Sequence, residues 1–327
     1  MDEQPVDGHS KIIHLDEPVH YVDFGGRPDG PVMVLVHGLG GSHLNWNLLA
    51  PELTPHGRVF AVDLPGFGLS ESGGHRTTVP ADVEVLARFI RTVCAGPVVL
   101  VGNSMGGMVS MLLAARSPAL VRGLVLLDPA LPAPTSILRS PATTALLLAH
   151  AVPGVGERLL RSRRERLGAR GTVAATLDLC GIDPATLPAS LLERFVALAE
   201  HRAGVSGVDR AFLSTSRSLA WVLARRRRYR SAMAAIGVPV LLVHGDRDPL
   251  VPVTAARATI RHRPAWRYIE MHGVGHMPQL QVPGELAMHI RHWLRTLPAT
   301  GVHPAPQTRP NGPAGGHRHP APSLHGS

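Results

Sequence analysis

The sequence predicts an α/β protein with a mostly parallel, eight-stranded sheet that is flanked by helices and carries a helical insertion after its sixth strand. Short apolar runs alternate with longer stretches of helical periodicity, as in parallel strands joined by crossover helices. The segment from Pro129 to Ile236 is rich in Leu, Ala and Arg and contains no strand-like run. Hydrophobic residues make up 44% of the chain, which is enough for a large buried core.

The elements follow in chain order from these patterns. After a short lead strand near Ile12, we expect Val19–Gly25 and Pro31–Gly38 to be the first paired strands. Further strands are predicted at Arg58–Asp63, Pro97–Asn103, Val121–Asp128, Val238–His244 and Trp266–Met271, and helices at Val83–Cys94, Met105–Arg116 and Glu285–Leu297. Almost every residue of the strand before Ser104 is apolar, as expected when both faces of a sheet are covered.

These boundaries predict a core domain from residues 11–128 and 237–297, a helical cap at 129–236 and a disordered tail at 298–327. The tail is rich in Pro, Gly and His, a composition that cannot bury enough apolar surface to fold. The chain starts with a polar segment and has no apolar run of membrane-spanning length, so we expect a soluble, cytoplasmic protein. Cys94 and Cys180 lack metal-type neighbours, and we predict buried thiols, no metal site and no cofactor.

The strongest chemical signal is Gly102-Asn103-Ser104-Met105-Gly106, a G-x-S-x-G pattern between a buried strand and a helix. In that context the pattern is typical of a nucleophile elbow, a strained turn that exposes the serine hydroxyl. Glycine suits both ends of the pattern because side chains there would collide with neighbouring backbone. The helix N-terminus also favours negative charge that develops beside Ser104. A glycine–serine turn without chemistry is the alternative interpretation.

A serine nucleophile needs a general base, and His276 is the candidate. It lies in a loop between the last strand and the last helix, from which it can reach back over the carboxyl edge of the sheet. His272 lies nearer to the strand and is the weaker candidate. His37 and His244 lie at strand ends, where we expect them to form structural hydrogen bonds.

The base needs a carboxylate that fixes its tautomer and stabilises the imidazolium. Asp248 is the candidate, because it lies in the loop that follows a predicted strand and gives the chain order Ser, Asp, His. Asp246 is expected to brace the same loop. Asp128, at the end of the preceding strand, is the alternative acid.

An oxyanion hole needs two N–H donors. One should come from Met105, the residue after the nucleophile, and the other from the glycine-flanked Leu39 in the loop at residues 37–41. Loss of one such donor typically raises the barrier by about 3 kcal/mol.

Together these segments resemble the α/β-hydrolase superfamily, from about Lys11 to Leu297. The segment Asp63-Leu-Pro-Gly66-Phe-Gly68-Leu-Ser70 matches the D-x-x-G-x-G-x-S turn of that family. The resemblance implies a cap between the sixth and seventh strands and membership of the serine-nucleophile branch. That branch includes esterases, lipases, thioesterases, carbon–carbon bond hydrolases and cofactor-free haloperoxidases. Haloalkane dehalogenases and epoxide hydrolases are disfavoured, because they carry Asp in place of Ser104.

We therefore predict a cofactor-free serine hydrolase, resembling carboxylesterases and lipases, that acts on small hydrophobic esters through an acyl-enzyme. The elbow is also similar to that of meta-cleavage product hydrolases, which cut carbon–carbon bonds. Their oxyanion loop usually reads H-G-G-G-P-G, whereas this chain has His37-Gly-Leu-Gly-Gly-Ser. Carbon–carbon hydrolysis is thus the second hypothesis, and a ligand-sensing protein on a hydrolase scaffold is the third.

The net charge of +9 belongs to the predicted cap, which holds 16 arginines and 7 acidic residues. A solvated face is the simplest explanation of its basic runs, Arg161–Arg166 and Arg225–Arg228. Contact with an anionic membrane and binding of an acidic substrate are the alternatives. Nucleic acid is disfavoured, because aromatic residues are only 4% of the chain. The cap should also offer an apolar surface to a substrate, through Ile137, Leu138, Leu146–Leu148 and Val152.

Overall fold

The computed structural model describes residues 8–74, 76–132 and 155–298, and its described strands form one eight-stranded sheet. The strands are β1 His9–Leu15, β2 Glu17–Gly26, β3 Val32–Val36, β4 Arg58–Val62, β5 Val98–Asn103, β6 Val121–Leu127, β7 Val240–Gly245 and β8 Arg267–Met271. Their order across the sheet is β1-β2-β4-β3-β5-β6-β7-β8. The contacts of β2 with β1 and β4 are antiparallel and all the others are parallel, which confirms the predicted mixed, mostly parallel sheet.

One strand pairing expected from the sequence is wrong. The sequence predicts a pairing of β2 with β3, but β2 pairs with β1 and β4, and β3 lies between β4 and β5. The helical turns between residues 43 and 56 carry the chain across, so that β4 enters the sheet beside β3 in parallel. Hydrophobic patterning identifies strands, but their order depends on such crossovers.

The helices of the described residues flank the sheet and fill the insertion after β6. They are α1 Ala50–Leu53, α2 Val79–Val93, α3 Met105–Arg116, α4 Val155–Leu179, α5 Ala189–Ala203, α6 Val208–Ala224, α7 Arg226–Ala234, α8 Val253–His262, α9 Pro278–Gln281 and α10 Pro283–Leu294. The helical insertion, α4 to α7, thus lies after the sixth strand as predicted. The apolar cap residues Ile137, Leu138, Leu146–Leu148 and Val152 lie outside the described residues, as does the predicted tail beyond residue 298.

Two helices begin earlier than predicted, and proline explains both. Helix α2 begins four residues before Val83, because the side chain of Thr78 caps it and Pro80 fits its first turn. Helix α10 begins with Pro283 rather than Glu285. Proline is tolerated in a first helical turn, where its missing N–H group would have no helical partner.

The core lies on both sides of the central strands. All six residues of β5 are buried, as are all six of β7, which matches strands covered on both faces. The largest buried side chains include Trp46, Phe67 and Phe89. No helix of the described residues has the length and hydrophobicity needed to cross a bilayer.

Hydrogen bonds from Tyr229 and Arg202 hold the insertion against the loops that follow the sheet strands. The hydroxyl of Tyr229 on α7 donates to the carbonyl of Ala130, just after β6, at 3.0 Å. The guanidinium of Arg202 on α5 donates to the carbonyls of Gly66 and Gly68, the latter at 2.7 Å. The helical insertion is therefore held directly against the glycine-rich turn that follows β4.

Replacing Arg202 with Met should lower the free energy of unfolding by about 2 to 3 kcal/mol, because two partly buried carbonyls lose charge-assisted donors. Arg170→Met is the matched control. Arg170 forms an exposed ion pair with Glu193, and such pairs contribute about 1 kcal/mol or less. Urea unfolding of both variants tests this, and equal losses would contradict the role of Arg202.

Candidate active site

The turn between β5 and α3 is a strained elbow centred on Ser104. Ser104 has φ 53° and ψ −116°, a conformation that side-chain-bearing residues rarely adopt. A β-carbon on Gly102 would lie 2.5 Å from the carbonyl oxygen of Gly106, and one on Gly106 would lie 2.0 Å from that of Val36. Both glycines are thus required by close backbone contacts, as the sequence pattern predicts.

Backbone hydrogen bonds hold Ser104 at the carboxyl edge of the sheet. Its N–H donates to the carbonyl of Leu127 at 3.0 Å, and its own carbonyl accepts from Ala130 at 2.9 Å. Met105 is the first residue of α3, where the N–H groups have no partners inside the helix. The Met105 N–H therefore lies at a helix N-terminus directly after the strained serine.

The loop after β3 runs beside Ser104. A β-carbon on Gly38 would lie 3.1 Å from Cβ of Ser104, so the backbone of this loop passes close to the serine and a side chain at this position would be crowded. His37 fixes the loop: its Nε2 accepts from the Leu64 N–H at 3.0 Å and its Nδ1 donates to the Gly38 carbonyl at 2.7 Å. Burial lowers the pKa of His37, which keeps the ring neutral and able to accept. Leu39, the predicted oxyanion donor, follows Gly38 in this loop.

A buried carboxylate anchors the far end of the same loop. Asp63 accepts from the backbone N–H of His43 at 2.6 Å and from the Nδ1 atoms of His43 and His20, both at 2.8 Å. The Leu69 N–H donates to it at 2.8 Å. Burial alone would raise the pKa of Asp63, but the two histidine donors hold that pKa far below its usual range. The family-type turn that starts at Asp63 is therefore built around a permanent negative charge.

His276 and Asp248 form a direct hydrogen bond. Nδ1 of His276 lies 2.7 Å from Oδ2 of Asp248, and both side chains are buried. The other oxygen of Asp248 accepts from the N–H groups of Leu250 and Val251, at 2.7 and 2.9 Å. Although burial works in the opposite direction, these donors hold the pKa of Asp248 below its usual value. A histidine that donates from Nδ1 keeps Nε2 as its basic nitrogen.

Two residues to which the sequence analysis gave no role in this site join these parts. Asn103, beside Ser104, donates from its side-chain amide to the carbonyls of Leu127 and His276, at 3.1 and 3.0 Å. The backbone carbonyl of Cys180, at the end of α4, accepts a hydrogen bond from the N–H of His276 at 2.9 Å. The position of Asn103 inside the serine motif was the available signal, whereas nothing in the sequence marks the carbonyl of Cys180.

The remaining candidate histidine and carboxylate residues of this edge have other partners. His272 is almost fully exposed and pairs with Asp246, whose other oxygen accepts from the Gly273 N–H. His244 Nε2 donates to the carbonyl of Val251 at 2.8 Å. Asp128, the alternative acid, is fully buried and accepts from the Gly245 N–H at 2.8 Å.

Both cysteines are buried and unpaired. Burial raises the pKa of Cys94 and of Cys180 to about 12, so both thiols stay protonated at neutral pH. They behave as the small buried side chains that the sequence predicts.

A family model described as alpha/beta hydrolase fold matches residues 31–283. Among curated relatives, the pimeloyl-[acyl-carrier protein] methyl ester esterase of Yersinia pseudotuberculosis is 28% identical over 79% of this chain and 91% of its own length. Lipase LipV of Mycobacterium tuberculosis is 37% identical over 54% of this chain and 62% of its own. The crystal structure of Cfl2 from Burkholderia cenocepacia has the same fold, with a TM-score of 0.75, 23% identity and coverage of 90% of this chain and 98% of that one.

Some relatives are longer proteins. A Pseudomonas putida protein, the dihydrolipoyllysine-residue acetyltransferase component of an acetoin cleaving system, is 27% identical over 85% of this chain. The matched region spans only 66% of that relative's length. The similarity to it therefore covers one part of that protein and not the whole.

Replacing Asp63 with Asn should lower the free energy of unfolding by about 3 kcal/mol at neutral pH, because a buried carboxylate with two histidine partners is lost. A carboxyl with a lowered pKa stabilises the fold above its ordinary pKa of 3.8, and the contribution disappears as the pH falls below that value. The difference between wild type and variant should thus shrink below about pH 4.

Urea unfolding between pH 7 and pH 3 measures this difference, with Asp29→Asn as the control, since Asp29 is exposed. A deficit that stays constant over the whole range would contradict the ionised state assigned to Asp63.

Proposed function

This chain belongs to the α/β-hydrolase fold family, and from that premise we propose that it is a cofactor-free serine hydrolase that cleaves hydrophobic carboxylic esters. In this proposal Ser104 is the nucleophile, His276 the general base and Asp248 the acid. The N–H groups of Leu39 and Met105 form the oxyanion hole.

The observation that carries the proposal is the 2.7 Å hydrogen bond between His276 and Asp248, beside an elbow whose serine has positive φ. The bond fixes the tautomer in which Nε2 can take a proton, and the carboxylate stabilises the imidazolium that results. Strain at a serine between a parallel strand and a helix is the usual device for exposing a nucleophile.

In the first half-reaction, Oγ of Ser104 attacks the ester carbonyl while its proton moves to Nε2 of His276. The negative charge on the tetrahedral intermediate is held by the N–H groups of Leu39 and Met105. The intermediate collapses, His276 returns the proton to the departing alcohol, and an acyl-enzyme remains. In the second half-reaction, water gives a proton to His276 and attacks the acyl carbon. The bond from that carbon to Oγ of Ser104 then breaks, His276 returns the proton to Oγ, and the acid is released.

The substrate class is supported by the relatives and by the composition of the cap. A pimeloyl-[acyl-carrier protein] methyl ester esterase and a lipase are among the relatives. The insertion that covers this edge of the fold is rich in Leu and Ala, which favours an acyl chain or a similar hydrophobic group. A single-domain core at residues 11–128 and 237–297, with the cap at 129–236, is the organisation that we propose.

Ser104→Ala should lower the kcat for p-nitrophenyl esters by about 10⁴-fold or more, because the nucleophile and the proton-transfer system act as a unit. A series of p-nitrophenyl esters with acyl chains of increasing length should show an optimum in kcat/KM, and the chain length at that optimum indicates the size of the acyl-binding site. Labelling of Ser104 by a fluorophosphonate, followed by mass spectrometry, identifies the reactive serine independently of the chosen substrate. Ser206→Ala, in an exposed loop of the insertion, is the control that should stay fully active.

If wild type is labelled but hydrolyses no ester, the esterase proposal is wrong and a dienoic diketo acid tests carbon–carbon hydrolysis instead. If Ser104 is not labelled, the catalytic role of this residue is wrong. A small molecule that is bound tightly, released unchanged and retained by Ser104→Ala would favour a ligand-sensing role.

We also propose a peripheral contact between the basic insertion and an anionic membrane. Trp221 on α6 is 49% exposed, and Cζ of Arg225 lies 3.4 Å from the centre of its ring. Arg225, Arg227 and Arg228 are exposed, and among the described residues none of them forms an ion pair. The chain has no acidic residue from 210 to 245. An exposed indole beside guanidinium groups that form no ion pair favours an anionic lipid surface.

Changing Arg225, Arg227 and Arg228 to Gln should weaken binding to phosphatidylserine-containing vesicles at least tenfold, because each basic residue contributes about 1 kcal/mol at such a surface. Co-sedimentation measures the affinity, and phosphatidylcholine vesicles should bind neither protein. The control removes the same charge from exposed positions of the core, namely Arg91, Arg261 and Arg295. Equal losses in both variants, or no binding by wild type, would contradict this contact.

A further inference from the structure

Asp128 follows β6 as Ser104 follows β5, and its backbone is strained in the same sense. Its φ is 44°. Three non-glycine residues of the described chain have positive φ, namely Asp16, Ser104 and Asp128, and Asp16 is exposed. The two residues follow neighbouring parallel strands and therefore lie at the same edge of the sheet. Strain of this kind persists only where the surrounding structure enforces it, and it is concentrated at functional sites.

The carboxyl group of Asp128 has few partners for a fully buried acid. Oδ1 accepts from the Gly245 N–H at 2.8 Å, and no donor among the described residues reaches Oδ2. The nearest ring nitrogen is Nε2 of His244, at 3.6 Å, which donates to the carbonyl of Val251 instead. Burial lowers the pKa of His244, so this ring brings no positive charge to Asp128.

Asp248 lies beside Asp128 and has the better set of donors. The carboxyl oxygens of Asp128 and Asp248 and a ring nitrogen of His244 lie within 4.8 Å of one another. Asp248 accepts three hydrogen bonds, from Leu250, Val251 and His276, whereas Asp128 accepts one. Two neighbouring buried carboxylates cannot both ionise at low cost, and the one with more donors keeps the charge. Burial and then the charge of Asp248 raise the pKa of Asp128 well above its usual value.

We propose that Asp128 is a positioning residue for the Asp248–His276 pair and acts as a neutral carboxylic acid. One of its oxygens holds the Gly245 N–H at the start of the loop that carries Asp248. The proton on the other oxygen is offered to the Asp248 carboxylate, so that this carboxylate stays directed at Nδ1 of His276. The inference rests on the proposed function, because Asp128 can position the catalytic pair only if Asp248 and His276 are the acid and the base.

The neutral form predicts a dependence on pH. The titratable groups that face Asp128 are Asp248 and His244, and Asp248 is in turn paired with His276. If the pH rises enough to ionise Asp128, two negative carboxylates face each other and the hydrogen bond to Asp248 is lost. Activity should therefore decline on the alkaline side through the ionisation of Asp128.

Asp128→Asn and Asp128→Ala separate this role from others. Asn is neutral, has nearly the same shape and keeps both an acceptor for Gly245 and a donor for Asp248, so kcat should stay within about threefold of wild type. Ala removes both contacts and should lower kcat about tenfold while KM stays within twofold, because the reacting groups are less well aligned. Asn should also abolish the alkaline decline in kcat. Asp246→Asn, in the same loop, is the control and should change neither value.

Two spectroscopic readouts need no substrate and therefore remain informative if the esterase proposal fails. The infrared band of protonated carboxyl groups at pH 7 should weaken in Asp128→Asn and not in Asp246→Asn. The proton NMR signal of the His276 Nδ1–H group, which is bonded to Asp248, should persist in Asp128→Asn and shift or broaden in Asp128→Ala.

Three results would overturn the inference. An unchanged infrared band in Asp128→Asn means that Asp128 is ionised. An Asn variant as inactive as the Ala variant means that a charge is required at this position. Unchanged kcat and an unchanged His276 signal in Asp128→Ala mean that Asp128 does not position the pair.

Discussion

Close backbone contact at the carboxyl edge of the sheet is the constraint on which the rest of this structure depends. A β-carbon on Gly106 would lie 2.0 Å from the carbonyl oxygen of Val36, so the start of α3 fits against β3 only without a side chain. That contact sets the sharp turn at Ser104 and leaves the loop after β3 beside it. The elbow and the loop with the predicted oxyanion donor are therefore two consequences of one packing arrangement.

At this edge of the sheet, hydrogen-bond donors rather than surface ion pairs determine which buried carboxyl groups are ionised. Asp63 and Asp248 are buried among histidine and backbone N–H donors, and both have lowered pKa values. Asp128, which has a single backbone donor, has a raised one. The number of hydrogen-bond donors around each buried carboxyl group thus decides whether the group is a negative carboxylate or a neutral carboxylic acid.

Local patterns made much of this arrangement predictable. A few adjacent residues are enough to identify the elbow, the family-type turn that starts at Asp63, and the loops that carry Asp248 and His276. The sheet and the helical insertion can be predicted from the periodicity of apolar residues. The neighbours of β2 could not be predicted, because strand order depends on how the chain crosses the sheet. The bonds from Asn103 and Cys180 to His276 join residues far apart in the chain, and no local pattern encodes them.

The carbonyl of Cys180 has a consequence for how this fold can change. Because the N–H of His276 donates to the carbonyl of Cys180 at the end of α4, the helical insertion supplies part of the scaffold under the candidate base. If the insertion were exchanged for that of a relative, His276 would keep its position only where the new segment again placed a hydrogen-bond acceptor beside its N–H group. Diversification of specificity should therefore be easier at the far helices of the insertion than at the junction near residue 180.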